Sequence, residues 1–308
     1  MKTIKYILFG MCAFVATLVQ VKAQTPTDAI MMKQRESCVA LIYDMSTFDH
    51  YWEGDLLRVN QTIETVTRNT VLPMIAIGLH DKLNLIVATP YVKTKSSEPN
   101  GGKFAGAKGF QDIGISLKGE LMNKQLGAGK LALLSTVSFS TPMSNYLSDY
   151  MPYSLGFGAP EFGARAIVHY QLDKGMYARV TGAHLWRGQT EAERDYYYNN
   201  GSYYTALMDV PDAWDYQAVV GSWLLDYSLK VEANYQRLVS TSGDDIRKYN
   251  AAQPTNRVEF GQVGVTAQYY PKAAKGLGAL LYYSQRISGK NTAKSNNFGV
   301  GLTYQFKI

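Results

Sequence analysis

The feature that most constrains this chain is its last thirteen residues, Asn296 to Ile308. Phe298, Val300, Leu302, Tyr304, Phe306 and Ile308 stand at every second position, with Asn297, Gly299, Gly301, Thr303, Gln305 and Lys307 between them. A strand turns successive side chains to opposite faces, so this segment has one apolar and one wet face. Ending on an aromatic-rich alternating strand is the pattern by which outer-membrane barrels close and engage the assembly machinery that inserts them. The expectation that follows is that every earlier segment is another stave of the same barrel.

The rhythm of the chain supports this expectation. Twelve alternating segments can be read: Cys38–Thr47, an extended run from Leu56 to Gly78, Leu83–Tyr91, then Asp112–Leu121, Leu131–Ser140, Gly156–Tyr170, Met176–Trp186, Trp214–Leu225, Leu229–Thr241, Val258–Tyr270, the stretch from Leu277, and the last. Most have the length of roughly 9–11 residues that a tilted spanning strand needs. Their connections alternate between long and short, as when both termini lie on the side of the short turns. A soluble sandwich has no reason to keep its long loops at one end. The fold class is therefore an all-β, transmembrane antiparallel barrel of about twelve strands, with short periplasmic turns and longer extracellular loops. Tyr91, Tyr170, Tyr227, Tyr269, Tyr270, Tyr283 and Tyr304 fall near strand ends, where an amphipathic ring suits the membrane boundary. Pro90 and Pro160 lack ladder donors and predict irregularities in the wall.

The start of the chain reads as an address. Lys2 and Lys5 precede an apolar stretch, Ile7 to Val19, and Val21-Lys22-Ala23 makes a cleavage site, so residues 1–23 are expected to leave as a signal peptide. Residues 24–36, polar and without pattern, read as a periplasmic lead-in, and 37–308 as the barrel. Export places the product in the outer membrane of a Gram-negative bacterium, against lipid and lipopolysaccharide, and as a monomer. Only Cys38 remains after cleavage, which permits no internal disulfide. Without those three lysines the 31 basic residues fall to 28 against 25 acidic ones, so nucleic acid is not an expected partner. A mean hydropathy of −0.18 with 23 tyrosines and 27 glycines suits a wall whose two faces average out.

Candidate functional residues lie on the faces opposite the apolar ones. Asp112, Lys118, Glu120, Glu161, Arg165, Lys230, Glu232 and Arg286 are expected to line the lumen, where charges of both signs either bind a solute or pair with one another. A second group, Tyr51, Trp52, Tyr196, Tyr197, Tyr198, Tyr203 and Tyr204, lies in loops that could hold an aromatic or sugar ring, or simply pack together. No His-x-x-His, Cys-x-x-Cys or Gly-x-Ser-x-Gly spacing occurs, so neither a metal, a cofactor nor a hydrolase nucleophile is expected. An outer-membrane lipid hydrolase would have to be assembled from His184 with Ser140 or Ser222, and it ranks third.

The stretch Leu83 to Val92, with its Thr89-Pro90-Tyr91 end, followed after a loop by Gly109-Phe110-Gln111-Asp112-Ile113-Gly114-Ile115, resembles the outer-membrane family labelled MetA-pathway of phenol degradation. Members carry a strand ending in Pro-Tyr or Pro-Phe, a Gly-rich loop and a G-x-x-D-[ILV]-x-[ILV] strand. Where they have Gly-Leu-Gly-Asp, this chain has Gly109-Phe110-Gln111-Asp112. The resemblance implies passage of small hydrophobic or aromatic molecules. The expected function is a channel for passive uptake of small solutes. The alternative is a closed barrel that binds or supports through its extracellular loops.

Overall fold

A computed structural model describes residues 24–101, 103–247 and 252–308, and the expected signal peptide lies outside them. Twelve staves form one antiparallel sheet that closes on itself. They are β1 (Glu36–Phe48), β2 (Val66–His80), β3 (Leu83–Ala88 continued by Tyr91–Ser96), β4 (Lys108–Phe110 continued by Asp112–Leu126), β5 (Gly129–Pro142), β6 (Glu161–Leu172), β7 (Met176–Arg187), β8 (Ala213–Leu224), β9 (Leu229–Ser240), β10 (Glu259–Tyr269), β11 (Leu277–Lys290) and β12 (Asn296–Lys307). Each pairs with its sequence neighbours, and β1 pairs with both β2 and β12. The closing register sets Glu36 against Lys307 and Thr47 against Asn296, which leaves no open edge.

Burial is inverted relative to a soluble protein. Along β12, Phe298, Val300, Leu302 and Tyr304 are exposed, while Thr303 and Gln305 are buried. The same holds for β1, whose Val39, Leu41, Tyr43 and Met45 face out and whose Cys38 and Ala40 face in. An apolar outer belt around a polar interior is the arrangement that a bilayer rewards. Most of the boundary tyrosines are exposed, but Tyr270 is not. It turns inward with Trp223, Tyr177 and Val219 to close the short-turn end.

Connections 81–82, 127–128, 173–175, 225–228 and 270–276 gather at one end, and the other six, all but 291–295 longer than these, at the other. Several boundaries differ from the sequence reading: β3 runs on to Ser96, β6 begins at Glu161 and not at Gly156, and two further differences have a local cause. The stretch after Leu56 first makes a hairpin, His50–Glu53 with Leu56–Val59, so β2 begins only at Val66. In β4 a bulge between Glu120 and Met122 breaks the alternation, and the strand runs on to Leu126 where the sequence suggests a turn. Pro90 interrupts β3 at Thr89–Pro90, and β4 is interrupted opposite it at Gln111, whose N–H donates to the Pro90 carbonyl at 2.9 Å.

Residues Gln24 to Arg35, read from sequence as a periplasmic lead-in, fold up inside the barrel from the short-turn end. Ala29 and Met31 pack on Ala132, Leu134 and Ile167, and Met32 is buried. The segment crosses the rim over Gly78, where a Cβ would sit 2.0 Å from the Lys33 carbonyl oxygen, so only glycine fits.

Leu302 lies mid-strand and is 60% exposed. Leu302→Arg puts a charge into the belt and should cost about 2–4 kcal/mol of folding stability in lipid. Urea unfolding in vesicles, followed by loss of heat-modifiable gel migration, measures this.

Candidate functional site

The lumen divides into a filled lower half and an open upper chamber. In the lower half the strands carry charge inward, and the N-terminal segment answers part of it. Lys118 of β4 is fully buried and donates to Asp28 Oδ1 at 2.6 Å and to the carbonyls of Thr25 and Ile30 at 3.0 Å. Asp28 also accepts from the Thr25 hydroxyl at 2.8 Å and the Ile30 amide at 2.8 Å. Thr136 Oγ1 donates to the Pro26 carbonyl, and Asn84 Nδ2 to that of Met32. The segment is thus bent around one lysine.

Beside it runs a second network. Arg179 reaches Glu232 at 3.1 Å, the Tyr177 hydroxyl donates to the same carboxylate at 2.9 Å, and Lys230 lies 3.5 Å from it. Higher in the wall Arg165 pairs with Asp215 at 2.6 Å, and Gln236 completes that carboxylate at 2.7 Å. In a low-dielectric interior each of these charges needs its partner.

The upper chamber has a volume of about 900 Å³. Its walls include Phe48, Tyr51, Ile63, Leu155, Phe157 and Phe260, with Arg68, Arg187, Arg286, Asp112 and Glu161 among them. A smaller cavity of about 220 Å³ lies below, between Pro26 and Thr27 of the N-terminal segment and the hydroxyl-bearing faces of β4 and β5. Gly114, Ser140 and Glu161 line both, so the two adjoin, and the smaller one reaches the tip of the N-terminal segment. Glu161 pairs with Arg187 at 2.7 Å, and the Arg187 guanidinium lies 4.9 Å from the Phe157 ring. Asp112 accepts from the Tyr146 hydroxyl at 2.6 Å. Burial, followed by this hydrogen bond, pushes the Tyr146 phenol well above the ordinary tyrosine range.

Loops roof the chamber and are tied at one residue. Asn291 Oδ1 accepts from the amides of Gly54 and Ile246, and Nδ2 donates to Asp245 Oδ1 and the Arg257 carbonyl. Both lone-pair positions and both N–H groups of the amide are used. Three loops therefore meet there. Thr190 to Ser148 and Arg194 to Asp149 bind the loops that follow β5 and β7.

Of the residues picked out by sequence, Asp112, Glu161 and Arg286 line the chamber, and Arg165 the smaller cavity. Lys118, Lys230 and Glu232 belong to the filled half. Glu120 stands at the β4 bulge, where Asn123 donates to it at 2.9 Å. Tyr51 lines the chamber. Trp52 is buried against Gly289, and its amide donates to Thr292. The other tyrosines pack on one another: Tyr197 stacks on Tyr203 with centroids 5.0 Å apart, Tyr196 meets Tyr204 at 5.2 Å, and the Tyr198 carbonyl accepts from Gln253. His184 faces outward between Trp186 and Trp214, whereas Ser140 faces the lumen. Ser222 stands opposite Met176 while His184 stands opposite Trp214, eight residues along the ladder, so neither serine comes within hydrogen-bond reach. Sequence reasoning passed over Arg68, Arg179, Arg187, Asp215 and Asp28. Four of them have inward parity on their strands, a signal that was available. Asp28 had none.

Among solved structures the chain is similar to the COG4313 outer-membrane channel from Pseudomonas putida F1, with 15% identity, a TM-score of 0.73, and coverage of 92% of this chain and all of that one. More distant barrels include the NanC porin, at 6% identity and a TM-score of 0.49 over 86% of this chain and 98% of that one. Another is the translocator domain of the autotransporter NalP from Neisseria meningitidis, at 12% and 0.45 over 89% of this chain and 90% of that one. The first likeness shows the fold, a closed outer-membrane type of barrel. No protein-family model and no curated protein matches the chain.

The two tethers can be cut separately. Asp28→Ala leaves Lys118 buried without its counter-charge, at a cost of about 3–5 kcal/mol, enough to expel the segment. Trypsin added from the short-turn side should then cut after Lys33 many times faster than in the unmodified barrel. Asn291→Ala removes four hydrogen bonds that join three loops. Proteolysis of the loop 241–258 should accelerate about tenfold while gel migration of the folded barrel stays the same.

Proposed function

We propose that this chain is a monomeric outer-membrane channel for passive uptake of small solutes, entering through the roofed chamber and held back below by its own N-terminal segment. The observation that carries this reading is that two cavities adjoin along the barrel. A chamber of about 900 Å³ shares Gly114, Ser140 and Glu161 with one of about 220 Å³ that reaches Pro26 and Thr27. A barrel serving only as a scaffold has no need of so large an interior space open to shared lining. The Pseudomonas outer-membrane channel has the same fold, which supports the reading without supplying a solute.

The aromatic and aliphatic lining, Phe48, Tyr51, Ile63, Leu155, Phe157 and Phe260, favours molecules with an apolar body, in line with the motif resemblance to the phenol-degradation family. The passage below is lined by Ser116, Thr136, Ser138 and Ser140, so a solute leaving the chamber exchanges apolar contacts for hydroxyl groups. Movement of Gln24–Arg35 completes the route to the periplasm. The competing reading, a closed barrel acting through its loops, is favoured by the filled lower lumen.

Refolded protein in liposomes distinguishes the two. Influx of arabinose and of phenol is compared with protein-free vesicles and with a variant lacking residues 24–33. The channel reading expects influx above the background leak, and several-fold faster influx in the deletion variant. No influx with either protein, each shown to be folded by gel migration, would overturn it in favour of the closed barrel.

A further inference from the structure

The cations inside this barrel are paired almost without exception. Lys118 has Asp28, Arg165 has Asp215, Arg179 and Lys230 have Glu232, and Arg187 has Glu161. Arg68 and Arg286 break the pattern. Both line the upper chamber, and among the described residues neither has a carboxylate within 4.0 Å.

Their hydrogen bonds go to neutral groups. Arg68 donates to the Gln111 side chain at 2.9 Å and to the carbonyls of Ser154 and Leu155 at 3.2 and 2.5 Å. Arg286 donates from one terminal nitrogen to Thr292 Oγ1 at 2.7 Å and lies with its guanidinium carbon 4.4 Å from the Phe260 ring centroid. Its Nε is buried and has no partner among the described residues. Neutral acceptors orient a guanidinium but do not cancel its charge. A cation without a carboxylate in contact is costly in a partly dry chamber, and two in one chamber repel each other.

Of the acids nearby, Glu161 is held by Arg187. Asp112 and Asp44 each accept a tyrosine hydroxyl, from Tyr146 and Tyr282, and both lie close enough to Arg68 to offset part of its charge. Among the described residues no carboxylate does the same for Arg286. The chamber lining carries three arginines against two carboxylates, so its balance is positive. A planar guanidinium presents a fork of donors that matches a carboxylate, and the Phe260 ring already holds one face of Arg286.

We infer that the chamber selects small organic carboxylates with an aromatic or aliphatic body, with the carboxylate set between Arg68 and Arg286 and the body against Phe260 and its apolar neighbours. The inference rests on the reading that the chamber receives solute, and it names the class of that solute. A carboxylate there supplies the missing counter-charge, and the apolar surface of the chamber accepts the remainder.

The test uses the full mature chain refolded in detergent, with benzoate as probe and benzyl alcohol as its uncharged counterpart of similar shape. Calorimetric titration should show benzoate binding at least tenfold more tightly than benzyl alcohol. Arg68→Gln and Arg286→Gln should each weaken benzoate about tenfold or more and leave benzyl alcohol unchanged, since a hydrogen bond between charged groups is worth that much. Equal binding of the two probes, or benzoate binding indifferent to both substitutions, would overturn the inference. If Arg286→Gln fails to fold by gel migration, Arg68→Gln decides alone. Arabinose influx into liposomes separates this inference from the channel reading. Entry of arabinose without benzoate binding removes the carboxylate site and keeps the channel. Benzoate binding without any influx keeps the site and removes the channel.

Discussion

Everything in this molecule depends on the ladder between β1 and β12. In hydrocarbon an unpaired backbone N–H or C=O has no water to turn to, so a sheet can cross a membrane only when its first and last strands satisfy each other. Here twelve residues of each meet in unbroken register, Glu36 against Lys307 through Thr47 against Asn296. Once that seam exists, each strand has one face toward lipid and one toward the lumen, and side-chain chemistry has to follow. The outer face gathers Leu302, Val300 and Phe298, and the inner face takes the charges.

Closing a barrel of this size creates a problem that its sequence then solves. Inward residues are too few and too polar to form an oily core, and their charges are shielded from bulk water. Arg165 with Asp215 and Arg179 with Glu232 settle this by reaching over an intervening strand, and Lys230 meets Glu232 along β9 itself. Lys118 has no such partner among the described residues of the wall. The segment 24–35 brings it Asp28 and two carbonyls, so the same contact that balances a charge also fills the lower lumen. In the upper chamber the balancing is incomplete, since neither Arg68 nor Arg286 has a carboxylate in contact among the described residues, and there the barrel also has open space.

How much of this was legible in the sequence follows from which patterns are local. The barrel was legible because alternation and loop length are properties of consecutive residues, and the twelve staves and their two-ended connections are those the sequence suggests. Boundaries slipped where the period itself is broken, at the Glu120–Met122 bulge and at the hairpin after His50. Inward parity also pointed to Lys118, Glu161 and Arg165, but parity gives no height along the barrel and no partner. It could not separate Lys230, sealed in the lower half, from Arg286, open to the chamber. For the N-terminal lead-in the sequence left open whether it plugs the barrel, because what seats it there comes from distant residues, Asn84, Lys118 and Thr136. Composition does not record such contacts. Likewise, aromatic content left open whether the tyrosine-rich loop binds a ring or packs on itself; its rings meet one another in pairs, and Tyr196, Tyr203 and Tyr204 also stay exposed.

The bend around Lys118 also fixes an order in time. Its contacts come from β3, β4 and β5, and its apolar footing from β5 and β6. That seat does not exist until those strands stand side by side. The earliest of the described residues, Gln24 to Arg35, therefore have to wait for their seat while the wall assembles behind them. A segment that stands ahead of the first stave is settled only after the sixth is in place.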